Sequence, residues 1–213
     1  MDWIEVSVPV NKISLIYNPI ERLNKQPWCW EVISKLARGA EGSIYAQSPY
    51  IIPTQNMMDI LSMDEISVNR EEIKMLTNSI YSSPNPLAVS GYMNKRKEML
   101  DFGVRIYEYQ GPGSIHAKSY TFDQRISAIG SFNLDSRSAF LSTESMVIID
   151  SEEFAKKLEE EMGNYLDQSL MVAGSPDYSY LPNTEVEAGN VPLLKVILIK
   201  MLFILVKPFS YML

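Results

Sequence analysis

Four side chains, His116, Lys118, Ser131 and Asn133, have the chemistry to make and break a phosphodiester bond. They lie in one stretch, His116-Ala-Lys118-Ser-Tyr-Thr-Phe-Asp123, which runs on to Gly130-Ser131-Phe-Asn133. An imidazole can serve as nucleophile or as proton donor near neutral pH. An ammonium, an amide and a hydroxyl can hold the non-bridging oxygens of a phosphate as negative charge builds on them. Alternate side chains on a strand share a face. A strand over 114–122 would therefore aim His116 and Lys118 the same way, and a strand over 125–133 would do so for Ser131 and Asn133. Glu144 begins a third expected strand, 144–150. A carboxylate there could accept the Nδ1–H of a histidine, fixing its tautomer and leaving Nε2 free to react.

The stretch reads H-x-K-x4-D-x6-G-S-x-N, with every fixed position filled. Six fixed residues at roughly 5% each, over roughly 200 starting points, give a chance match on the order of 10⁻⁶ to 10⁻⁵. The segment resembles the HKD motif of the phospholipase D superfamily. Further segments are similar to the second half of bacterial cardiolipin synthases: Gln47-Ser48-Pro49-Tyr50 with Pro53, Leu76-Thr77-Asn78-Ser79, Ser90-Gly91-Tyr92, Leu134-Asp135-Ser136-Arg137-Ser138 and Ser142-Thr143-Glu144. The resemblance implies an α/β fold with a mixed β-sheet flanked by helices. It implies phosphatidyl transfer or phosphodiester hydrolysis on phospholipids by a phosphohistidine-type route, with no cofactor and no metal. Catalytic roles would fall to His116, Lys118, Asn133, Ser131 and Glu144, and structural ones to Asp123 and Gly130.

One departure governs the rest. The two-motif relatives draw a histidine from each HKD motif, whereas this chain has one motif and one histidine. His116 corresponds to the second, which in those relatives is usually the general acid. Val89 stands near a position where several relatives have a histidine. The chain is thus expected to be a gene fragment, to pair with a separate N-terminal half, or to self-associate about a two-fold axis. Three functions compete: a cardiolipin-synthase-like enzyme with a second HKD motif in trans, a small dimeric phosphodiesterase or endonuclease, and a catalytically incomplete half that binds lipid or a partner.

The positioning elements follow from pattern. A helix is expected over 29–38, a buried strand over 44–52 and a helix from Gln55 capped by Thr54. A strand over 72–76, a helix over 89–102 ended by Gly103 and a strand over 104–109 come next. Val6, Val8 and Val10 alternate as a strand would, and Ile13, Leu15 and Ile16 suggest another. Asp150 with Glu153 reads as a capping box for a helix whose inner face is Phe154, Leu158, Met162 and Leu166. Residues 1–172 are read as the catalytic half, 173–190 as a linker and 191–213 as an apolar segment.

The composition is globular, with 46% hydrophobic and 21% charged residues in 213. A net charge of −7 disfavours bulk nucleic-acid binding. The basic run Lys95-Arg96-Lys97 reads as the wet face of a helix. Cys29, the only cysteine, is expected to pack and fits a reducing compartment. The N-terminal residues do not read as a signal peptide. From Val191 to Val206 the chain is apolar but carries Lys195 and Lys200, and it is shorter than the about 20 residues of a membrane span. It reads either as an interfacial helix whose lysines reach lipid headgroups or as a helix packed on protein. The expected partners are therefore a phospholipid substrate, a membrane surface and a second HKD-bearing chain, with a cytoplasmic, peripheral location.

Overall fold

Short β-branched and aromatic runs, separated by Gly- and Pro-marked turns, alternate with amphipathic stretches, and the chain layers accordingly. The structure, a computed structural model, describes residues 7–21, 25–174, 179–206 and 212. In chain order the elements are β1 (Lys12–Tyr17), α1 (Trp28–Gly39), β2 (Ile44–Gln47), β3 (Ile51–Ile52), α2 (Gln55–Leu61), β4 (Ile73–Asn78), α3 (Pro86–Asp101) and β5 (Arg105–Tyr109). There follow β6 (Ser119–Phe122), β7 (Ile126–Gly130), β8 (Leu134–Asp135), α4 (Ser136–Phe140), β9 (Ser145–Asp150), α5 (Glu152–Leu166), β10 (Ser169–Met171) and α6 (Leu193–Val206). Eight strands form one mixed sheet in the order β1-β9-β7-β6-β2-β4-β5-β10. The β2–β4 and β4–β5 pairs are parallel and the others antiparallel.

Helices cover both faces of the sheet. On one face, Trp30 and Ile33 of α1 and Met99 of α3 join Ile44, Ile106, Tyr120 and Ala128 in the main core. On the other, Met162 of α5 packs on Tyr45, Leu76 and Tyr109, with Leu158 and Leu166 beside it. At the β1 end of that second face, Ile13, Leu15 and Tyr17 are exposed by 59%, 65% and 52%, an apolar stripe on an edge strand where polar residues are usual.

Several local expectations are corrected. The strand expected over 44–52 breaks at Ser48-Pro49, because Pro49 has no N–H to continue the ladder. Its second part, β3, instead pairs in parallel with β8. Strand β4 runs on to Asn78, past the expected stop at Leu76. No strand forms at 7–10, and Val6 lies outside the described residues. Thr54 holds the N-cap position of α2 without a side-chain capping bond. Asp150 does not cap α5, since its carboxylate is taken by Arg125 at 2.8 and 3.1 Å. Ser151 caps instead, accepting from Phe154 N, and Glu153 pairs with Lys157.

The run Lys95-Arg96-Lys97 is not uniformly wet. Arg96 is 5% exposed and ion-paired to Glu108, 1% exposed, because that face of α3 lies on β5. Nor is 173–190 a bare linker. Val172 bridges to Tyr180, whose hydroxyl donates to Glu108 at 2.6 Å, and Gly189 N donates to Gln110 at 3.1 Å. Gly103 does adopt the left-handed φ of +84° expected after α3.

Candidate active site

Antiparallel pairing brings the start of β6, the end of β7 and the start of β9 to one end of the sheet, beside the C-terminal ends of β2 and β4. His116 and Lys118 lie just ahead of β6, and Ser131 and Asn133 lie between β7 and β8. All four are off the strands, so strand alternation does not orient them. Their burial shows this: His116 is exposed while Lys118 is 8% exposed.

Side-chain clamps do the orienting. Asn78 donates to the Ile115 carbonyl at 2.9 Å and accepts from the Ile115 amide at 2.8 Å. Lys118 Nζ donates back to the His116 carbonyl at 2.6 Å. The Lys118 carbonyl takes the Gly130 amide at 3.2 Å. Tyr120 OH donates to the Phe132 carbonyl at 2.9 Å, and Phe132 stacks on Trp30 with ring centroids 6.1 Å apart. Ser131 and Ser145 exchange bonds, Ser131 N to Ser145 O at 3.0 Å and Ser145 N to Ser131 Oγ at 3.1 Å. A Cβ at Gly130 would collide with the Ser145 carbonyl and with Met146, so glycine is what lets β7 and β9 close here.

A second clamp holds the loop carrying Glu144. Asn18 Nδ2 donates to the Ser138 carbonyl at 2.7 Å, its Oδ1 accepts from Cys29 N at 3.0 Å, and its backbone N–H donates to the Glu144 carbonyl at 2.8 Å. Asp135 caps α4 by accepting from Ser138 N at 2.7 Å. The Ser138 hydroxyl donates to Glu144 Oε1 at 3.4 Å and accepts from Asn133 N at 3.2 Å. The expected bond from a histidine to Glu144 is not made. Glu144 faces Ser138, and the His116 imidazole has no hydrogen-bond partner among the described residues.

The electrostatics are tense. Burial lowers the Lys118 ammonium below the usual lysine range, while Glu144 and Asp135 pull it back up. Burial raises Asp135 above the usual carboxylate range against the bonds from Ser138. The Cys29 thiol, fully buried beneath Glu144, is pushed up to about 12 by burial and by that carboxylate, so it packs and stays protonated.

A cavity of about 310 Å³ opens at this end. Asn133, Arg137 and Glu144 line its polar side, and Ile52, Leu87 and Met212 its apolar side. Asn133 Oδ1 is buried there without a partner among the described residues. His116 and Lys118 do not line this cavity. Asp123 sits at the far end of β6, where its carboxylate takes the amides of Glu41, Gly42 and Ser43 at 2.7–3.2 Å. Burial raises its pKa, but those three amides outweigh it and the net shift is downward.

Sequence reasoning missed Asn18, Asn85 and Met212. Asn85 carried a signal, an Asn directly before a Pro at the first helical position; it caps α3 by accepting from Leu87 N and Ala88 N. Asn18 and Met212 act through long-range contacts that no local pattern encodes.

Residues 33–166 match the family described as cardiolipin synthase, PLD-like domain. Cardiolipin synthase 1 of Staphylococcus epidermidis is 36% identical over 140 residues, covering 65% of this chain and 27% of that protein. A cardiolipin synthase of Staphylococcus aureus is 32% identical over 138 residues, covering 62% and 26%. An uncharacterized protein of Helicobacter pylori is 30% identical over 148 residues, covering 63% and 29%. The chain therefore spans less than a third of the length of these curated relatives. Two crystal structures share the fold. Phosphatidylserine synthase of Haemophilus influenzae superposes with a TM-score of 0.66 at 14% identity, covering 94% of this chain and 48% of that one. Nuc, a phospholipase D family member from Salmonella typhimurium, superposes at 0.58 and 17% identity, covering 75% and 97%.

Proposed function

The chain belongs to the cardiolipin-synthase, phospholipase D-like family, and from that premise we propose that it transfers or hydrolyses the phosphodiester of phospholipids through His116, with a second HKD motif supplied by another chain. The observation that carries this reading is the meeting of the His116–Lys118 loop, the Ser131–Asn133 loop and Glu144 at one end of the sheet, where β6, β7 and β9 pair.

On this reading the histidine of the partner chain's HKD motif attacks phosphorus. The new N–P bond forms as the bond to the leaving alcohol breaks, and His116, as imidazolium, gives its proton to the departing alkoxide. Neutral His116 then takes the proton of an acceptor alcohol, or of water, as that oxygen attacks phosphorus and the N–P bond breaks. Lys118, Asn133 and Ser131 hold the non-bridging oxygens. Glu144 orients His116 once substrate or partner draws the exposed imidazole inward. In a symmetric pair each His116 can take either role. The work is done peripherally at a membrane surface.

One histidine cannot stand on both sides of the phosphorus. Specific activity on phosphatidylglycerol should therefore rise with protein concentration, in step with a mass increase in light scattering, or appear on adding a chain that carries the first motif. Full activity in a demonstrated monomer would overturn the two-motif reading. Nuc is similar in fold, but the net charge of −7 favours lipid over a nucleic-acid backbone as substrate.

A further inference from the structure

Helix α6 is built unlike the other helices. Its fourteen residues include two lysines and no acid, and all the rest are apolar. Its inner side is pinned to the domain. Ile199 is 2% exposed, Asn94 Nδ2 donates to the Phe203 carbonyl at 3.0 Å, and Lys195 Nζ donates to the Ser83 and Tyr81 carbonyls at 2.7 and 3.2 Å. Lys195 thus bonds protein carbonyls, a correction to its expected reach for headgroups, and burial lowers its pKa. The outer side stays bare. Leu194 is 81% exposed, Ile204 75%, Leu193 73%, Leu205 61% and Met201 60%. At 3.6 residues per turn these fall on one broad stripe, and exposed Lys200 lies at its border.

We infer that α6 is the seat of this chain on an anionic lipid surface, oriented so that the cavity lined by Asn133, Arg137 and Glu144 opens beside the bilayer. The inference rests on the phospholipid reading above, and three observations choose lipid over a protein partner. A helix of fourteen residues is about 21 Å long, short of the ~30 Å hydrocarbon core, and no described helix is long and apolar enough to cross a membrane. Such a helix lies along the surface, where a lysine beside the apolar stripe can extend to the phosphates. Protein interfaces carry about one hydrogen bond per 100–200 Å², yet the outer stripe of α6 offers no hydrogen-bonding side chain except Lys200 at its edge. In an acidic chain, α6 also carries no acid, and exposed Lys200 stands beside its outer stripe, where an anionic surface would meet it.

The cavity supplies the continuity. Met212, shortly beyond α6, forms its wall with Leu87 of the first turn of α3, and Lys195 ties α6 to residues 81 and 83, just ahead of α3. An amphiphile with its phosphate near Asn133 would find this apolar wall on the α6 side. Its acyl chains need not leave the bilayer for the phosphodiester to reach the polar side.

The test is flotation of the full chain with vesicles of phosphatidylglycerol and phosphatidylcholine, against vesicles of phosphatidylcholine alone. Three proteins are compared: wild type, His116→Ala, and the double variant Leu194→Asn, Ile204→Asn, whose fold is checked by circular dichroism. Wild type and His116→Ala should float equally, preferring phosphatidylglycerol and losing binding as salt rises. The double variant should bind at least about tenfold more weakly. Equal flotation of the double variant would overturn the inference. So would its conversion of a dimer to a monomer in light scattering with vesicle binding intact, because the stripe would then belong to a partner chain. Flotation does not depend on turnover, so an inactive wild type that still floats would count against the proposed reaction and leave the membrane seat standing.

Discussion

Asn78 and Ile115 exchange two hydrogen bonds, the Asn78 amide donating to the Ile115 carbonyl at 2.9 Å and its oxygen accepting from the Ile115 amide at 2.8 Å. The residue after Ile115 is His116. A side chain at the end of β4 therefore sets the path of the loop that carries the candidate catalytic histidine.

Replacing Asn78 by Ala should loosen that path. The amide and carbonyl of buried Ile115 would both lose their partner, and an unsatisfied buried group costs about 1–3 kcal/mol. The urea midpoint should fall, and turnover should fall further than the stability loss explains. A variant with wild-type midpoint and turnover would show that the clamp does nothing.

His116→Ala should abolish hydrolysis of bis(p-nitrophenyl) phosphate with little loss of stability, because the imidazole is exposed and makes no hydrogen bond to the described residues. Circular dichroism and initial rates measure the two effects. Retained turnover would remove His116 from the chemistry.

Mixing wild-type chains with His116→Ala chains reads out self-association. In a freely exchanging dimer at equal amounts, about a quarter of the dimers keep two histidines, so activity per wild-type chain should fall to about half. Activity that merely follows the amount of wild-type chain would point to a different partner carrying the first motif.

Asp135→Asn should stabilise the chain at neutral pH. Burial raises the carboxyl of Asp135 in the fold above its unfolded value, so the folded state binds more protons through that window. Wild-type stability from this group is present at low pH and lost as pH rises through the folded pKa. Asparagine keeps an oxygen to cap Ser138 N but never ionises. The gap between variant and wild type in urea titrations should open as pH rises past the carboxylate range and close below it. A gap independent of pH would refute this account.

The sheet and its helices were legible because β-branched runs and the spacing of Phe154, Leu158, Met162 and Leu166 are local signals. The four motif side chains stand out in the sequence by type and spacing, but the way they are held does not. His116, Lys118, Ser131 and Asn133 sit in loops fixed by Asn78 and Tyr120, as the loop of Glu144 is by Asn18, and strand alternation says nothing about such loops. Strand β10 and the Tyr180–Glu108 bond escaped for the same reason. The capping of α5 was misread because Asp150 and Ser151 are both good caps, and only the position of Arg125 decides between them.

Gly130 bears on how sites like this are found. It has no side chain to lend to the reaction, yet any side chain there would push the Ser145 carbonyl away from Ser131 and part the ends of β7 and β9. On the proposed mechanism, a saturation screen scored by activity would rank position 130 with His116, the one intolerant for reasons of space and the other for reasons of chemistry. Melting curves would tell them apart, since replacing the glycine should cost stability and activity together.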